Sequence, residues 1–122
     1  MNGLILFAHG ARDPNWALPF AAVAARVQVL RPDATVRLAF LEFMAPDLPG
    51  AAADLAASGC QRIEVLPLFL GAGGHVRRDL PSLLERLRGE YPEVSFTLHR
   101  AAGEHPALIE CLAAVAASTL PA

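Results

Sequence analysis

The chain has 122 residues, 54% of them hydrophobic and 18% charged. That suits one compact domain with a real core over residues 1–122 and excludes a disordered chain. A net charge of −2 argues against general nucleic-acid binding, and no apolar run reaches the roughly 18 residues of a membrane span.

The chain opens Met-Asn-Gly-Leu-Ile-Leu-Phe, without a basic leader, so it reads as a first strand rather than a signal peptide. The expected location is the cytoplasm. All ten basic residues are Arg. The lack of Lys excludes Schiff-base chemistry and a P-loop lysine. Arg near a site is a candidate carboxylate clamp, because its planar fork pairs a carboxylate bidentately. Cys60 and Cys111 read as buried small residues in a reducing compartment, with no disulfide or CxxC metal site.

Apolar runs alternate four times with helical patterns. The first strand is Leu4-Ile5-Leu6-Phe7-Ala8. A helix follows, with Phe20, Val23, Ala24, Val27 and Leu30 at helical spacing. Pro14 sits near its start, and Pro19 bends the first turns or delays regular hydrogen bonding. The second strand covers 35–41. The second helix covers 47–58, with Gly59 as its C-terminal cap. The third strand covers 62–68 and is followed by Gly71-Ala72-Gly73-Gly74. The third helix places Leu80, Leu83, Leu84 and Leu87 on one face, with Asp79 as N-cap and Pro81 in its first turn. The fourth strand covers 94–99. The last helix carries Leu108, Ile109, Leu112 and Val115.

This alternation predicts an α/β fold, a four-stranded parallel sheet with helices on both faces. The first and third strands are the more continuously apolar, as central strands are, while the second and fourth alternate, as edges do. With right-handed crossovers, the order is 2-1-3-4. Ligands of such sheets bind beyond the strand C-termini, where the winding reverses. The reversal lies between the first and third strands. His9 follows the first, His75 follows the third, and Glu42 follows the second.

Two imidazoles and a carboxylate suit a divalent ion such as Co²⁺, Fe²⁺, Ni²⁺ or Zn²⁺. They are also bases able to take protons near neutral pH. Glu42 has two other readings, as a cap of the second helix or as a partner of Arg12. Gly10, Gly71, Gly73 and Gly74 allow close backbone approach to a ligand, but they do not make a nucleotide-binding motif. Arg12, Arg77 and Arg78 flank the histidines and suit an anionic ligand. His105, before Pro106 at a helix start, reads as a cap or a surface residue rather than a ligand. Trp16, Phe69 and Leu70 lie near the cleft, where each could cover an aromatic macrocycle; core packing is the safer reading for Phe69 and Leu70.

The segment Leu4-Ile5-Leu6-Phe7-Ala8-His9-Gly10-Ala11-Arg12-Asp13-Pro14 resembles the opening of the CbiX-type class II chelatases. Phe40-Leu41-Glu42, followed by Pro46, resembles their second-strand signature. The stretch Pro67-Leu68-Phe69-Leu70-Gly71-Ala72-Gly73-Gly74-His75-Val76-Arg77-Arg78-Asp79-Leu80-Pro81 is similar to their Pro-Leu-Phe-Leu…Gly-x-His-Val…Asp-Ile-Pro pattern. Gly103-Glu104-His105-Pro106 also fits. The resemblance covers nearly the whole chain and implies a chelatase-like half-domain, the short single-domain form.

It implies insertion of a divalent metal, cobalt or iron and in some relatives nickel, into sirohydrochlorin, feeding cobalamin or sirohaem synthesis, with no nucleotide cofactor. It places the metal-site histidines on His9 and His75, and their acidic partner on Glu42. Sirohydrochlorin carries several carboxylates, which Arg12, Arg77 and Arg78 are suited to receive, while Gly10, Gly73 and Gly74 allow its close approach. Ala11 stands where many relatives have Ser. The short members form homodimers, so a second copy is an expected partner, while nucleic acid and membrane are not. Two other readings compete: a non-catalytic metal or tetrapyrrole carrier, and a histidine phosphatase with His9 as nucleophile. The second lacks the Arg that precedes the histidine in that class, since position 8 is Ala.

Overall fold

Residues 2–8 are apolar enough to be covered on both faces, and they form the strand around which the sheet is ordered. The computed structural model describes residues 1–71 and 73–122, and His75 by its backbone only. The strands β1 (Asn2–Ala8), β2 (Ala34–Phe40), β3 (Arg62–Pro67) and β4 (Ser95–Leu98) run parallel in the order β2-β1-β3-β4. This is the order expected from the strand patterns. The register pairs Ala8 with Phe40, and Phe7 with both Ala39 and Pro67. The C-terminal ends of the three strands are therefore level.

The helices are α1 (Leu18–Leu30), α2 (Leu48–Ala57), α3 (Gly74–Glu90) and α4 (Pro106–Ser118). One sheet face presents Ile5, Phe7, Ala39, Ile63, Val65 and Phe96 to α2 and α3, and this layer is the core. Leu55 and Leu84 are wholly buried there, and truncating either to Ala would cost about 2–5 kcal/mol. The start of α2 is set locally: Asp47 accepts a hydrogen bond from the Gly50 N–H at 2.9 Å. Its end is set by Gly59, whose φ of 92° suits the left-handed cap. Pro19 acts as expected. A 3-10 turn spans Pro14–Ala17, and regular α-helix begins only at Leu18.

Three expectations are corrected. The third helix begins at Gly74, with Gly73 as N-cap, rather than at Asp79, and Pro81 lies inside it. Val76 packs against the core one turn ahead of buried Leu80, and that burial outweighs the poor helix propensity of the glycines. Cys60 is buried, but Cys111 is exposed. The apolar stripes of α1 and α4 are not sealed. Neither helix contributes a buried residue, and Val23, Leu30, Ile109, Leu112 and Val115 remain exposed. A hollow of about 610 Å³ opens where α4 leaves the sheet, lined by Leu66, His99, Ala101, His105, Leu108 and Cys111 among others.

Candidate functional site

The sheet's hydrogen bonding continues past the strand ends and draws three loops together. The Leu41 N–H donates to the Ala8 carbonyl at 2.9 Å, and the Glu42 N–H donates to the His9 carbonyl at 3.0 Å. On the other side of β1, the Leu68 N–H donates to the Phe7 carbonyl at 2.7 Å. His9 and Glu42 are thus fixed as neighbours at the backbone level. Gly10 is required by this closure. Its φ is 90°, and a Cβ there would lie 1.9 Å from the Glu42 carbonyl oxygen.

A fourth segment joins from beyond β4. The Gly103 N–H donates to the Phe69 carbonyl at 2.8 Å. A Cβ on Gly103 would meet the Leu70 carbonyl oxygen at 1.9 Å. The Phe69 ring is thereby held under the site. It is buried, and it packs against the His9 imidazole with centroids 4.1 Å apart and planes at 42°. Phe7 also packs against it, with centroids 5.8 Å apart. His9 itself is exposed, so one part of its ring is clamped while the rest is open to solvent.

The remaining expected residues distribute around this point. Gly73 caps α3, and its carbonyl accepts from the Arg77 N–H at 3.0 Å. Gly74 accepts at its carbonyl from Arg78 Nε at 3.2 Å. Arg77 and Arg78 are exposed on the first turns of α3. His75 belongs to the first turn of that helix, which follows β3 as expected, but its side chain lies outside the described residues, as does Ala72. Among the described residues, no three His, Cys, Asp or Glu side chains form a metal-holding group. The test of the expected trio therefore turns on a side chain beyond that set.

Glu42 is exposed. It does not cap α2, since Asp47 does, and among the described residues it does not pair with Arg12. The Arg12 guanidinium instead lies over the Phe43 ring, 5.0 Å from its centroid. His105 is the expected cap: its Nδ1 accepts from the Ala107 N–H at 3.1 Å. His99, which lines a hollow with Phe69 and Arg77, has Nε2 3.5 Å from Glu64 Oε1. Trp16 stacks on Phe20 with centroids 4.5 Å apart.

Leu70 departs from its core reading. It is 71% exposed, and with Leu41 and the 57% exposed Phe43, which follow β2, it forms an apolar rim beyond the strand ends. Phe43 had drawn no attention in the sequence. The one signal was a large apolar residue beyond the end of β2, in a segment closed by Pro46. Away from the site, the Arg31 hydrogen bond lowers the Asp33 carboxyl to about 2, and the same contact raises the Arg31 guanidinium.

An exposed imidazole clamped beside a carboxylate-bearing loop, with an apolar rim and arginines on two sides, is arranged to receive a flat anionic ligand and a metal ion. The CbiX family model matches residues 3–119. The chain belongs to the CbiX family. A sirohydrochlorin cobaltochelatase of Sulfurisphaera tokodaii is 35% identical over 92 residues, which are 73% of this chain and 72% of that protein. A sirohydrochlorin cobaltochelatase of Saccharolobus solfataricus is 37% identical over 87 residues, covering 69% of this chain and 64% of that one.

Among solved structures, a CbiX protein of Marinobacter aquaeolei, described as a putative cobalamin (vitamin B12) biosynthesis protein, superimposes with a TM-score of 0.84. It is 30% identical and covers 98% of this chain and 97% of its own. SirB of Bacillus subtilis, solved with Fe³⁺, superimposes with a TM-score of 0.78 at 20% identity, which establishes the common fold. This CbiX chain spans 45% of the SirB chain.

Proposed function

We propose that this protein inserts a divalent metal ion, cobalt or iron, into sirohydrochlorin, as a metal chelatase of cobalamin or sirohaem synthesis. The observation that carries this reading is the joining of His9 and Glu42 by the Glu42 N–H···O=C His9 bond of 3.0 Å, at the edge where α3 brings His75 in from β3. The cobaltochelatase relatives make cobalt the first ion to test.

In the proposed mechanism His9, His75 and Glu42 hold the incoming ion and leave coordination positions open for pyrrole nitrogens. The macrocycle lies on the apolar rim, with its carboxylates toward Arg12, Arg77 and Arg78. Gly10, Gly73 and Gly74 leave the backbone unobstructed beside it. As the ring nitrogens replace the protein ligands, two pyrrole N–H protons leave. An imidazole or the Glu42 carboxylate accepts them. The products are the metallated ring and two protons, with no change of oxidation state. The ion is a substrate, so the site must hold it loosely enough to release it.

The second part of the reading is a cytoplasmic homodimer built on a single chelatase domain. Its support is the apolar side chains that stay exposed among the described residues on α1 (Val23, Leu30) and on α4 (Ile109, Leu112, Val115). The double-length SirB chain, of which this fold matches 45%, shows how much protein accompanies such a half elsewhere. Among the described residues, no helix is long and apolar enough to cross a membrane.

The test is insertion of Co²⁺ and Fe²⁺ into sirohydrochlorin, followed by absorbance, for wild type, His9→Ala and His75→Ala. Loss of insertion in both folded variants supports the assignment. Wild-type rates in both would remove it.

A further inference from the structure

Phe43 combines two features that folding alone does not favour. It is a large apolar residue with its ring mostly in solvent, and its φ is 66°. Among the described residues it is the one non-glycine position with positive φ. A bulky L-residue in that region is strained, and such strain persists only where the surrounding structure imposes it. Here the constraint is visible on both sides. The Glu42 N–H is tied to the His9 carbonyl at 3.0 Å, and the Phe40 N–H is tied to the Pro46 carbonyl at 2.9 Å. The left-handed turn sends the ring back toward the loop after β1, where the Arg12 guanidinium lies over it at 5.0 Å.

The chemistry of that contact is specific. An aromatic face attracts a guanidinium and restricts its many rotamers, while the N–H groups in the guanidinium plane stay free for a carboxylate. Among the described residues Arg12 makes no ion pair, and its recorded contact is with the Phe43 ring.

We propose that Phe43 is a positioning residue: its strained backbone keeps an aromatic platform beneath Arg12, and so orients that guanidinium toward a carboxylate of the substrate. The inference rests on the metal-insertion reading for the identity of the substrate. It does not rest on that reading for the Phe43–Arg12 contact itself.

Two measurements on the full chain test it. The first is steady-state insertion of Co²⁺ into sirohydrochlorin by wild type, Phe43→Gly, Phe43→Tyr, Arg12→Ala and the double variant Arg12→Ala/Phe43→Gly. Glycine accepts the backbone angle but removes the ring. Its KM for sirohydrochlorin should rise about two- to five-fold with kcat little changed. Phe43→Tyr should restore the wild-type KM. Arg12→Ala should raise KM at least as much, and the double variant should equal Arg12→Ala alone. Thermal unfolding should show Phe43→Gly no less stable than wild type, because the strain is gone. An unchanged KM in Phe43→Gly, or effects that multiply in the double variant, would overturn the proposal.

The second measurement is the ¹⁵N–¹H resonance of Arg12 Nε in metal-free protein. A ring-current displacement that vanishes in Phe43→Gly supports the contact, and an unmoved resonance refutes it. If wild type does not insert metal, the functional reading fails on the first measurement, while the second still decides whether Phe43 holds Arg12.

Discussion

The His9 imidazole rests on the Phe69 ring, with centroids 4.1 Å apart, so the loop after β1 and the loop after β3 share one aromatic contact. Phe69 is buried, and Phe7 also packs against it. An exposed imidazole gains a fixed orientation from this without being taken out of solvent. Replacing Phe69 by Ala should lower stability by about 3–5 kcal/mol. Phe69→Leu should cost less, yet still loosen His9. Insertion kinetics of the Leu variant, measured beside its thermal unfolding, should show a fall in kcat larger than the loss of folded protein.

Gly10 gives a sharper test of the backbone closure. In Gly10→Ala the new Cβ would lie 1.9 Å from the Glu42 carbonyl oxygen, at a φ of 90°. The loop after β1 must then move away from the loop after β2. Positive φ alone costs about 1–3 kcal/mol, and the clash adds to it. Tm should fall by about 10 °C or more, and insertion should fall with it. An alanine variant with wild-type Tm and activity would show that the two loops are not locked together as described.

The exposed apolar side chains of α1 and α4 predict the assembly. Leu112 and Val115 are exposed on α4, and charging both with Glu should leave the core intact. Light scattering should give twice the mass of one chain for wild type and a single chain for Leu112→Glu/Val115→Glu. Far-ultraviolet circular dichroism of the variant should remain native. A wild-type monomer at working concentrations would remove the homodimer.

The Arg31–Asp33 pair predicts a small acid response remote from the site. Asp33 is depressed to about 2, first by the Arg31 hydrogen bond. A lowered carboxyl adds stability above its ordinary value of 3.8, and that stability is lost as pH falls toward about 2. The pair is fully exposed, so the effect is weak and screened by salt. Melting curves of wild type and Asp33→Asn should differ slightly at neutral pH and converge below the folded value. A difference that grows on acidification would contradict this account.

Most of the fold was legible because it follows from hydrophobic pattern. The order β2-β1-β3-β4 came from the contrast between continuous and alternating strands, and it placed His9, Glu42 and the start of α3 at one edge. The first turn of α3 was not legible. Asp79 and Pro81 mimic a helix start, and only the tertiary burial of Val76 and Leu80 carries the helix back to Gly74. The role of Phe43 was hidden for a related reason. Nothing in a phenylalanine announces a positive φ; the angle is imposed by hydrogen bonds that exist only once β1 and β2 have paired. The exposed stripes of α1 and α4 read as ordinary core-facing helices, because a sequence gives the apolar face and not the partner that covers it.

The central claim is catalytic metal insertion at His9 and His75, and multiple-turnover absorbance tests it most directly. Sirohydrochlorin and Co²⁺ are held in large excess over protein, and product is counted per chain. The account predicts many equivalents of cobalt-sirohydrochlorin per chain, with the rate reduced on the order of 10²–10⁴-fold in His9→Ala and His75→Ala. A spectral change that stops at one equivalent per site would contradict it and identify a carrier instead.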